Sequence, residues 1–538
     1  MREELDPIHQ CSGISGELRS GTHFPGFTLL GRCRPARGGE PGAPKDLPDA
    51  YHKAQEEIPE LQGYAFPDRR SGAELKSLKF QMQRQKELPV PSHQSRLAAI
   101  DRLVSELPPG PNKEYLDKVD FTSPTPPTHI AHELSQAVGS LKPDSSPGLP
   151  FGYEFAENAE MLEKLSSDAL VQLCWERICA LYNEECAGMS SYELVSHGCA
   201  GVVRFFVKNE LHTAEKVKQG RMRLIAVLDV VDQVIERWLH GGQNRANINT
   251  WESIPVKPGM GLHDKGLDHL GETIASMSCA VGSDVSGFDF QVREWNLLDD
   301  CSVRVALAGC TPQNAYGRLT KNRVHCLARS VIILSDGLAF AQTLPGIQKS
   351  GSYNTSSTNS NIRAMLAYMA GSASAITMGD DCVEDMANSS PPEGTDGAPV
   401  TDAVWEHWEA NPVGERWYER YFPLKETQCG EISFCSFEFT PLHDSWGRVD
   451  CVRIRNERVF KQLATLLTKR PQGPAEREEL LAAFLYGIRR GVTGWSGRSH
   501  WLPDKYMGFH SDERSLREAL SHWGWAVGNN IQNASPQE

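Results

Sequence analysis

Hydrophobic residues recur along this chain with two periods. Val231, Val234, Ile235, Trp238 and Leu239 fall at i, i+3, i+4, i+7 and i+8, the apolar face of a helix, and the pair Gly241–Gly242 reads as its stop. Leu481, Phe484, Leu485 and Ile488 repeat that spacing behind Pro474, a residue suited to a first helical turn. Short strand-like runs at 279–281 and 375–378 each lead directly into acidic residues. No internal repeat is visible. The pattern predicts one large α+β body rather than a string of small units.

Composition changes this picture at the ends and in one internal segment. Residues 1–50 hold six Pro and eight Gly without apolar periodicity, which predicts a flexible extension, or an arm ordered only against the rest of the molecule. Residues 388–402 (NSSPPEGTDGAPVTD) read as a surface loop and 528–538 as a frayed tail. With 538 residues, 40% hydrophobic and 23% charged, the chain can bury a sizeable core. Its net charge of −14 argues against a protein that coats nucleic acid over its whole surface, though not against a local basic channel. The 14 cysteines contain no C-x-x-C pair, so no structural zinc site is expected, and their scatter fits a reducing cytosol. The best apolar run, 480–488, is too short to span a membrane, and the first residues lack an apolar signal core.

The chemistry is carried by acids. Residues 282–290 (GSDVSGFDF) place Asp284 at a strand end and Asp289 five positions later. Far downstream, 378–381 (MGDD) sets Asp380 and Asp381 at a hairpin turn between apolar residues. Phosphoryl transfer to a 3′-hydroxyl uses two divalent ions, and Mg²⁺ takes one or two carboxylates plus substrate phosphates. Asp284 and Asp380 on adjoining strand tips would supply such a site, with adjacent carboxylates tolerated because a cation lies between them. Taken singly, each motif is more often a surface turn. Their order and the segment between them give them weight.

That segment, 349–360 (KSGSYNTSSTNS), holds Ser350, Gly351, Thr355 and Asn359, a glycine-bearing loop opening a polar helix with 355 and 359 on one face. A carboxylate acceptor (Asp289) and an amide (Asn359) suit recognition of a ribose 2′-hydroxyl. The alternative is a solvated Ser/Thr loop. Residues 204–223 carry Arg204, Lys208, Lys216, Lys218, Arg221 and Arg223 against only Glu210 and Glu215. Such a run can steer triphosphate and neutralise departing pyrophosphate; a solvated basic helix is the ordinary alternative. Residues 145–151 (SSPGLPF), with Ser145 and Gly148, form a stiff turn suited to guiding a template.

Over roughly residues 65–500 the ordered set resembles the palm-type RNA-dependent RNA polymerases of positive-strand RNA viruses, most closely the sobemovirus, polerovirus and barnavirus group. The resemblance is carried by AELKSL (73–78), SSPGLPF, FVKNELHTAEKVKQGRMRLI (206–225), GMGL (259–262), DVSGFD (284–289), KSGSYNTSSTNS, MGDD and FCSFEF (434–439). It implies an RNA-directed RNA polymerase with a right-hand fold of fingers, palm and thumb, the palm built on a small antiparallel sheet flanked by helices. The expected division is a partly disordered extension at 1–64, fingers at 65–270, palm at 271–294, a fingers/palm insertion at 295–345, palm again at 346–440, thumb at 441–527 and a disordered tail at 528–538. By that resemblance Asp284, Asp380 and Asp381 hold two Mg²⁺ or Mn²⁺ ions. Asp289, Thr355 and Asn359 read the ribose, and Ser350 and Gly351 form a loop that follows translocation. Lys208 and Arg223 meet the triphosphate with Lys216 and Lys218 nearby, Cys435 and Ser436 belong to a primer-grip hairpin, and Lys425 is the candidate proton donor to pyrophosphate. Expected partners are template and nascent RNA, NTPs, other viral replication proteins and a genome-linked protein primer, with de novo initiation equally open. The expected location is the host cytoplasm, in replication complexes brought to membranes by other proteins.

Two other functions compete. A reverse transcriptase usually carries another residue in place of Gly379 and a bulky one in place of Asp289. A non-enzymatic RNA-binding or coat-like protein usually shows a basic arm, which residues 1–50 lack.

Overall fold

The computed structural model describes residues 21–35, 42–70, 72–83, 85, 89–386, 424–429, 432–439, 452–492 and 513–525. The predicted loop at 388–402 and the tail at 528–538 lie outside the described residues. The chain is α+β. Its strands are β1 (His23–Phe24), β2 (Phe27–Arg32), β3 (Tyr64–Ala65), β4 (Val203–Val207), β5 (His212–Thr213), β6 (Leu224–Val227), β7 (Ala280–Val285), β8 (Val331–Leu334), β9 (Leu338–Gln342), β10 (Ser374–Met378), β11 (Asp381–Asp385), β12 (Leu424–Cys429), β13 (Ile432–Phe434), β14 (Phe437–Phe439) and β15 (Val452–Ile454).

Two sheets position the candidate site. A four-stranded sheet of order β10-β11-β7-β12 is antiparallel throughout. Cys382 of β11 faces Ser283 of β7, and Glu426 of β12 faces Asp284, so Asp284 lies on an interior strand with the 379–380 turn beside its tip. A six-stranded sheet of order β1-β2-β9-β8-β4-β6 is antiparallel except for β4 against β8. The Thr355–Met369 helix packs between β10 and the His93–Glu106 helix, sealing a core of Ile362, Leu366, Met369, Leu103, Val285 and Cys382.

Residues 21–35 follow the second of the two readings, an arm ordered against the rest of the molecule. Phe24 pairs with Phe27 across the two-residue turn Pro25–Gly26, and Gly26 takes φ 78°, the conformation a Pro-Gly turn of type II demands. β2 then adds to β9, with Phe27 and Leu29 buried and their neighbours half-exposed. The Pro25–Gly26 pair therefore builds a hairpin, and the period-2 alternation of a strand follows directly behind.

Gly241–Gly242 is not a helix stop: the helix runs from Val230 to Asn249. A Cβ at Gly242 would lie 2.4 Å from Pro111 Cγ and 2.9 Å from its Cδ, so the glycine admits a neighbouring segment. Gly242→Ala should therefore destabilise. The intrinsic helix gain of about 1 kcal/mol is smaller than the roughly 1–3 kcal/mol cost of overpacking against a rigid ring. A denaturation midpoint above that of the wild type would contradict this packing.

Candidate active site

Asp284 is the fifth residue of β7, Asp381 the first of β11, and Asp380 occupies the turn before it. Met378 pairs with Asp381, leaving Gly379–Asp380 as a two-residue loop. Gly379 has φ 67°, as the first central residue of a type II′ hairpin requires, while Asp380 is not among the residues of positive φ. The three carboxylates feel one another. Desolvation raises the Asp380 carboxyl above its ordinary range and the Asp284 charge adds to this, while Arg363 and Arg223 pull it back. Desolvation, then Asp380, pushes Asp381 up to about 6, opposed by hydrogen bonds from the backbone N–H and thiol of Cys435. Asp380 is at once solvent-exposed and densely flanked by protein, so water reaches it while the surrounding chain still weakens its solvation.

Asp289 sits on the short Phe288–Gln291 helix just beyond β7. The Nδ2 of Asn359 donates to its Oδ1 at 2.9 Å, so two residues predicted to act together do meet. Burial pushes Asp289 up to about 6, and Asp380 contributes in the same direction; the Asn359 hydrogen bond and Arg223 oppose it. Arg223, exposed just before β6, thus acts electrostatically on both Asp289 and Asp380, as its predicted role needs. Lys216 and Lys218 stand exposed on the Ala214–Gln219 helix, and Lys208 pairs with Glu210 at 2.7 Å. Arg204 is different: it is buried in β4 with its guanidinium 5.4 Å from the Phe206 ring, so it belongs to the core and not to a channel. The AELKSL motif braces this basic segment, the Ser77 hydroxyl donating to the Gly220 carbonyl and accepting from the Met222 N–H.

The family model for viral RNA-directed RNA-polymerase matches residues 48–391, more than half of the chain. This chain belongs to that family. Among the curated relatives of this chain, the replicase polyprotein P2AB of Southern bean mosaic virus is 37% identical over 346 residues, 63% of this chain and 35% of the relative. Protein P2-P3 of Poinsettia latent virus is 36% identical over 358 residues, 60% of this chain and 31% of the relative. Protein P1-P2 of Potato leafroll virus is 35% identical over 348 residues, 60% of this chain and 32% of the relative. The matched part of the chain thus spans about a third of these relatives, which come from the sobemo-, polero- and related viruses that its motifs resemble. The family match starts before residue 65 and ends well short of residue 500.

Other predicted residues take more specific places in the fold. Ser350 Oγ accepts from the Ala226 N–H at 3.0 Å, and a Cβ at Gly351 would lie 2.0 Å from the Ala226 carbonyl oxygen, so the loop lies directly on β6. The Thr355 hydroxyl donates to the carbonyls of Lys349 and Ser352 and accepts from Gln348, which commits it to shaping the loop. Gly148 has φ 70° and is buried, and a Cβ there would lie 2.2 Å from the Leu228 carbonyl oxygen. It thus closes the turn against the residues that lead into the Val230–Asn249 helix, and Ser145 is half-buried. Cys435 and Ser436 form the turn of the β13–β14 hairpin, with φ 51° and 65°, and Cys435 turns toward Asp381. Lys425 lies in β12 at an irregularity between Leu424 and Glu426, opposite Val285 and Asp284 of β7; its side chain is outside the described residues.

Sequence reasoning missed Arg363. It is fully buried, its Nε donating to the Asp380 carbonyl at 3.1 Å and its Nη2 to Ser283 Oγ at 2.5 Å, so one guanidinium joins the acidic turn to the neighbouring strand. The Gly379 N–H also donates to Ser360 Oγ at 2.8 Å. Arg363→Met keeps the bulk but strands these acceptors. A loss of about 2 kcal/mol or more is expected, since each buried unpaired acceptor costs roughly 1–3 kcal/mol. Urea titration checks it, and an unchanged midpoint would mean the clamp carries no weight.

Proposed function

We propose that this chain is the RNA-directed RNA polymerase that replicates and transcribes a positive-strand RNA virus genome. It joins NTPs to an RNA 3′-hydroxyl by two-metal-ion nucleotidyl transfer. The observation that carries the reading is the convergence of Asp284, Asp380 and Asp381 at the tips of β7 and the β10–β11 hairpin, with the Asp289–Asn359 pair beside them.

The donor set fits Mg²⁺ or Mn²⁺: hard carboxylate oxygens, close enough that Asp284 raises both Asp380 and Asp381. Among the described residues no three or more His, Cys, Asp or Glu side chains form a ready-made cage, which suits ions that also take substrate phosphates and water. Asp284 and Asp380 would hold the metals and Asp381 would support them. The chemistry supplied by the bound ions is activation of the attacking hydroxyl and neutralisation of the leaving pyrophosphate. Arg223, Lys208, Lys216 and Lys218 draw in and orient the triphosphate. Asp289 and Asn359 read the ribose, and the Ser350–Gly351 loop seats the nucleotide against β6. Lys425, on the strand beside Asp284, is the proton donor to pyrophosphate. Ser145 guides the template and Ser436, at the exposed turn of its hairpin, meets the primer strand.

In this reading 65–270 and 295–345 are fingers, 271–294 and 346–440 palm, and 441–527 thumb. The four-stranded antiparallel sheet and the helix behind it support the palm assignment. Template RNA, NTPs, other replication proteins and a genome-linked protein primer are the proposed partners. Among the described residues no helix is long and apolar enough to cross a membrane. The proposed location is the host cytoplasm, in replication complexes brought to membranes by other proteins.

The test is template-directed incorporation of labelled NTP by the purified chain with and without Mg²⁺ or Mn²⁺. Divalent-dependent product supports the proposal; none under either ion refutes it. The same assay has an expected pH limb. Asp289 and Asp381 are pushed up to about 6, and both act ionised, so kcat/KM should fall as pH drops through about 6. Saturating Mg²⁺ should move that limb to lower pH, because a bound cation favours the carboxylate. A profile flat from pH 5 to 8 would contradict these ionisations.

A further inference from the structure

The loop carrying Ser350 and Gly351 is gripped from behind by a buried acid that neither the motifs nor the proposed chemistry use. Glu236 lies on the Val230–Asn249 helix, 2% exposed. Its Oε2 accepts from the Ser352 hydroxyl at 2.8 Å and from the Tyr353 N–H at 2.9 Å. Its Oε1 accepts from Arg323 Nε at 3.2 Å and Nη2 at 3.0 Å. Arg323 continues to Asp232 at 3.1 Å, and Asp232 to Arg177 at 3.0 Å, which also meets Asp229. The carboxylate is therefore fixed by a chain of buried charges on one side and presents two acceptor directions to the loop on the other. On the loop's far side Ser350 is pinned to β6, so Ser350 and Gly351 lie between two anchors.

We infer that Glu236 is a positioning residue for nucleotide selection, acting through Ser352 and Tyr353 to hold the Ser350–Gly351 loop at its working distance from Asp289 and Asn359. An ionised acceptor holds two donors more firmly than a neutral one. The backbone N–H of Gln348 donates to the Asp289 backbone carbonyl at 2.8 Å, so displacement of this loop is transmitted to the backbone of the ribose-reading acid itself. Small displacements of groups that orient a substrate reduce turnover steeply.

The inference rests on the polymerase reading, and the experiment separates the two. Single-nucleotide extension is measured on the full chain for wild type, Glu236→Gln, Glu236→Ala and Ser352→Ala, with kcat and KM for an rNTP and its dNTP. Ser352→Ala, which buries no unpaired charge, should lower kcat for the rNTP by about tenfold with KM nearly constant. It should also shrink the rNTP-over-dNTP preference several-fold. Glu236→Ala should exceed that loss, and Glu236→Gln, which keeps an acceptor oxygen, should recover part of it. If the wild type extends primers and Ser352→Ala leaves both kcat and the preference unchanged, the inference fails while the polymerase reading stands. A lowered melting temperature with the preference intact would likewise reduce Glu236 to a stabilising role and overturn it. A wild-type chain inactive with both metals and both nucleotides would refute the reading and the inference together.

Discussion

Asp380→Ala is expected to reduce NTP incorporation by at least about 10³-fold, since loss of metal-held transition-state charge removes several kcal/mol and each 1.36 kcal/mol is tenfold in rate. The backbone of the turn should survive this change. Gly379 supplies the positive φ, and what Arg363 binds is the Asp380 carbonyl rather than its carboxylate. The loss should therefore appear in kcat with an unchanged thermal midpoint, or a slightly raised one, because a carboxylate crowded by Asp284 and Asp381 is removed. Asp381→Ala should be milder. Its carboxylate is shared with the Cys435 N–H and thiol, which places it behind the site as well as in it. Turnover by Asp380→Ala within tenfold of wild type would remove the metal assignment.

The site was more legible in the sequence than its support was. Asp284, Asp289, Asp380 and Asn359 were readable because strand ends, a tight turn and an i, i+4 pair are local patterns, and local patterns survive folding. What holds them is not local. Asp232 and Glu236 lie on the helix whose apolar face was read correctly, but their partners Arg177 and Arg323 stand 55 and 87 positions away. The first turns of the Thr355–Met369 helix are polar, a composition whose ordinary alternative is a solvated loop, yet Ser357, Thr358, Asn359, Ser360 and Asn361 are all buried. Arg304 and Asp300 bond the hydroxyls of Ser357 and Thr358 and the Nδ2 of Asn361 from another helix. Burying such groups is tolerable only when each is bonded, and their partners cannot be read from composition. The β13–β14 hairpin is legible only through the family resemblance, because its turn lacks the usual local signal. Cys435 and Ser436 adopt positive φ without the Gly or Asn that usually marks it, held by Arg458 on the Cys435 carbonyl and by the Arg455 N–H on that of Ser436.

Asp289→Ala should reduce the preference for rNTP over dNTP by about 10²-fold while leaving kcat for the dNTP close to wild type. A site built to hydrogen-bond a hydroxyl rejects the analogue lacking it by up to ~10⁴–10⁵-fold, because its own polar groups are then left unpaired. Two acceptors are present here, the second carboxylate oxygen of Asp289 and the Oδ1 of Asn359, a buried atom without a hydrogen-bond partner among the described residues. Removing Asp289 frees the Asn359 Nδ2 and takes away the anion that makes the pair a strong acceptor, so rNTP loses its advantage and dNTP loses little. Asn359→Ala should act in the same direction and more weakly, since Asp289 can still accept from the 2′-hydroxyl. Its carboxyl would then rise further, having lost the hydrogen bond that lowers it, so this variant's preference should weaken most at the acid end of the profile. The pair of variants also separates this chain from a reverse transcriptase. If the wild type already extends with dNTP as readily as with rNTP, Asp289 and Asn359 do not read the ribose, and their contact is a structural hydrogen bond behind the metal site.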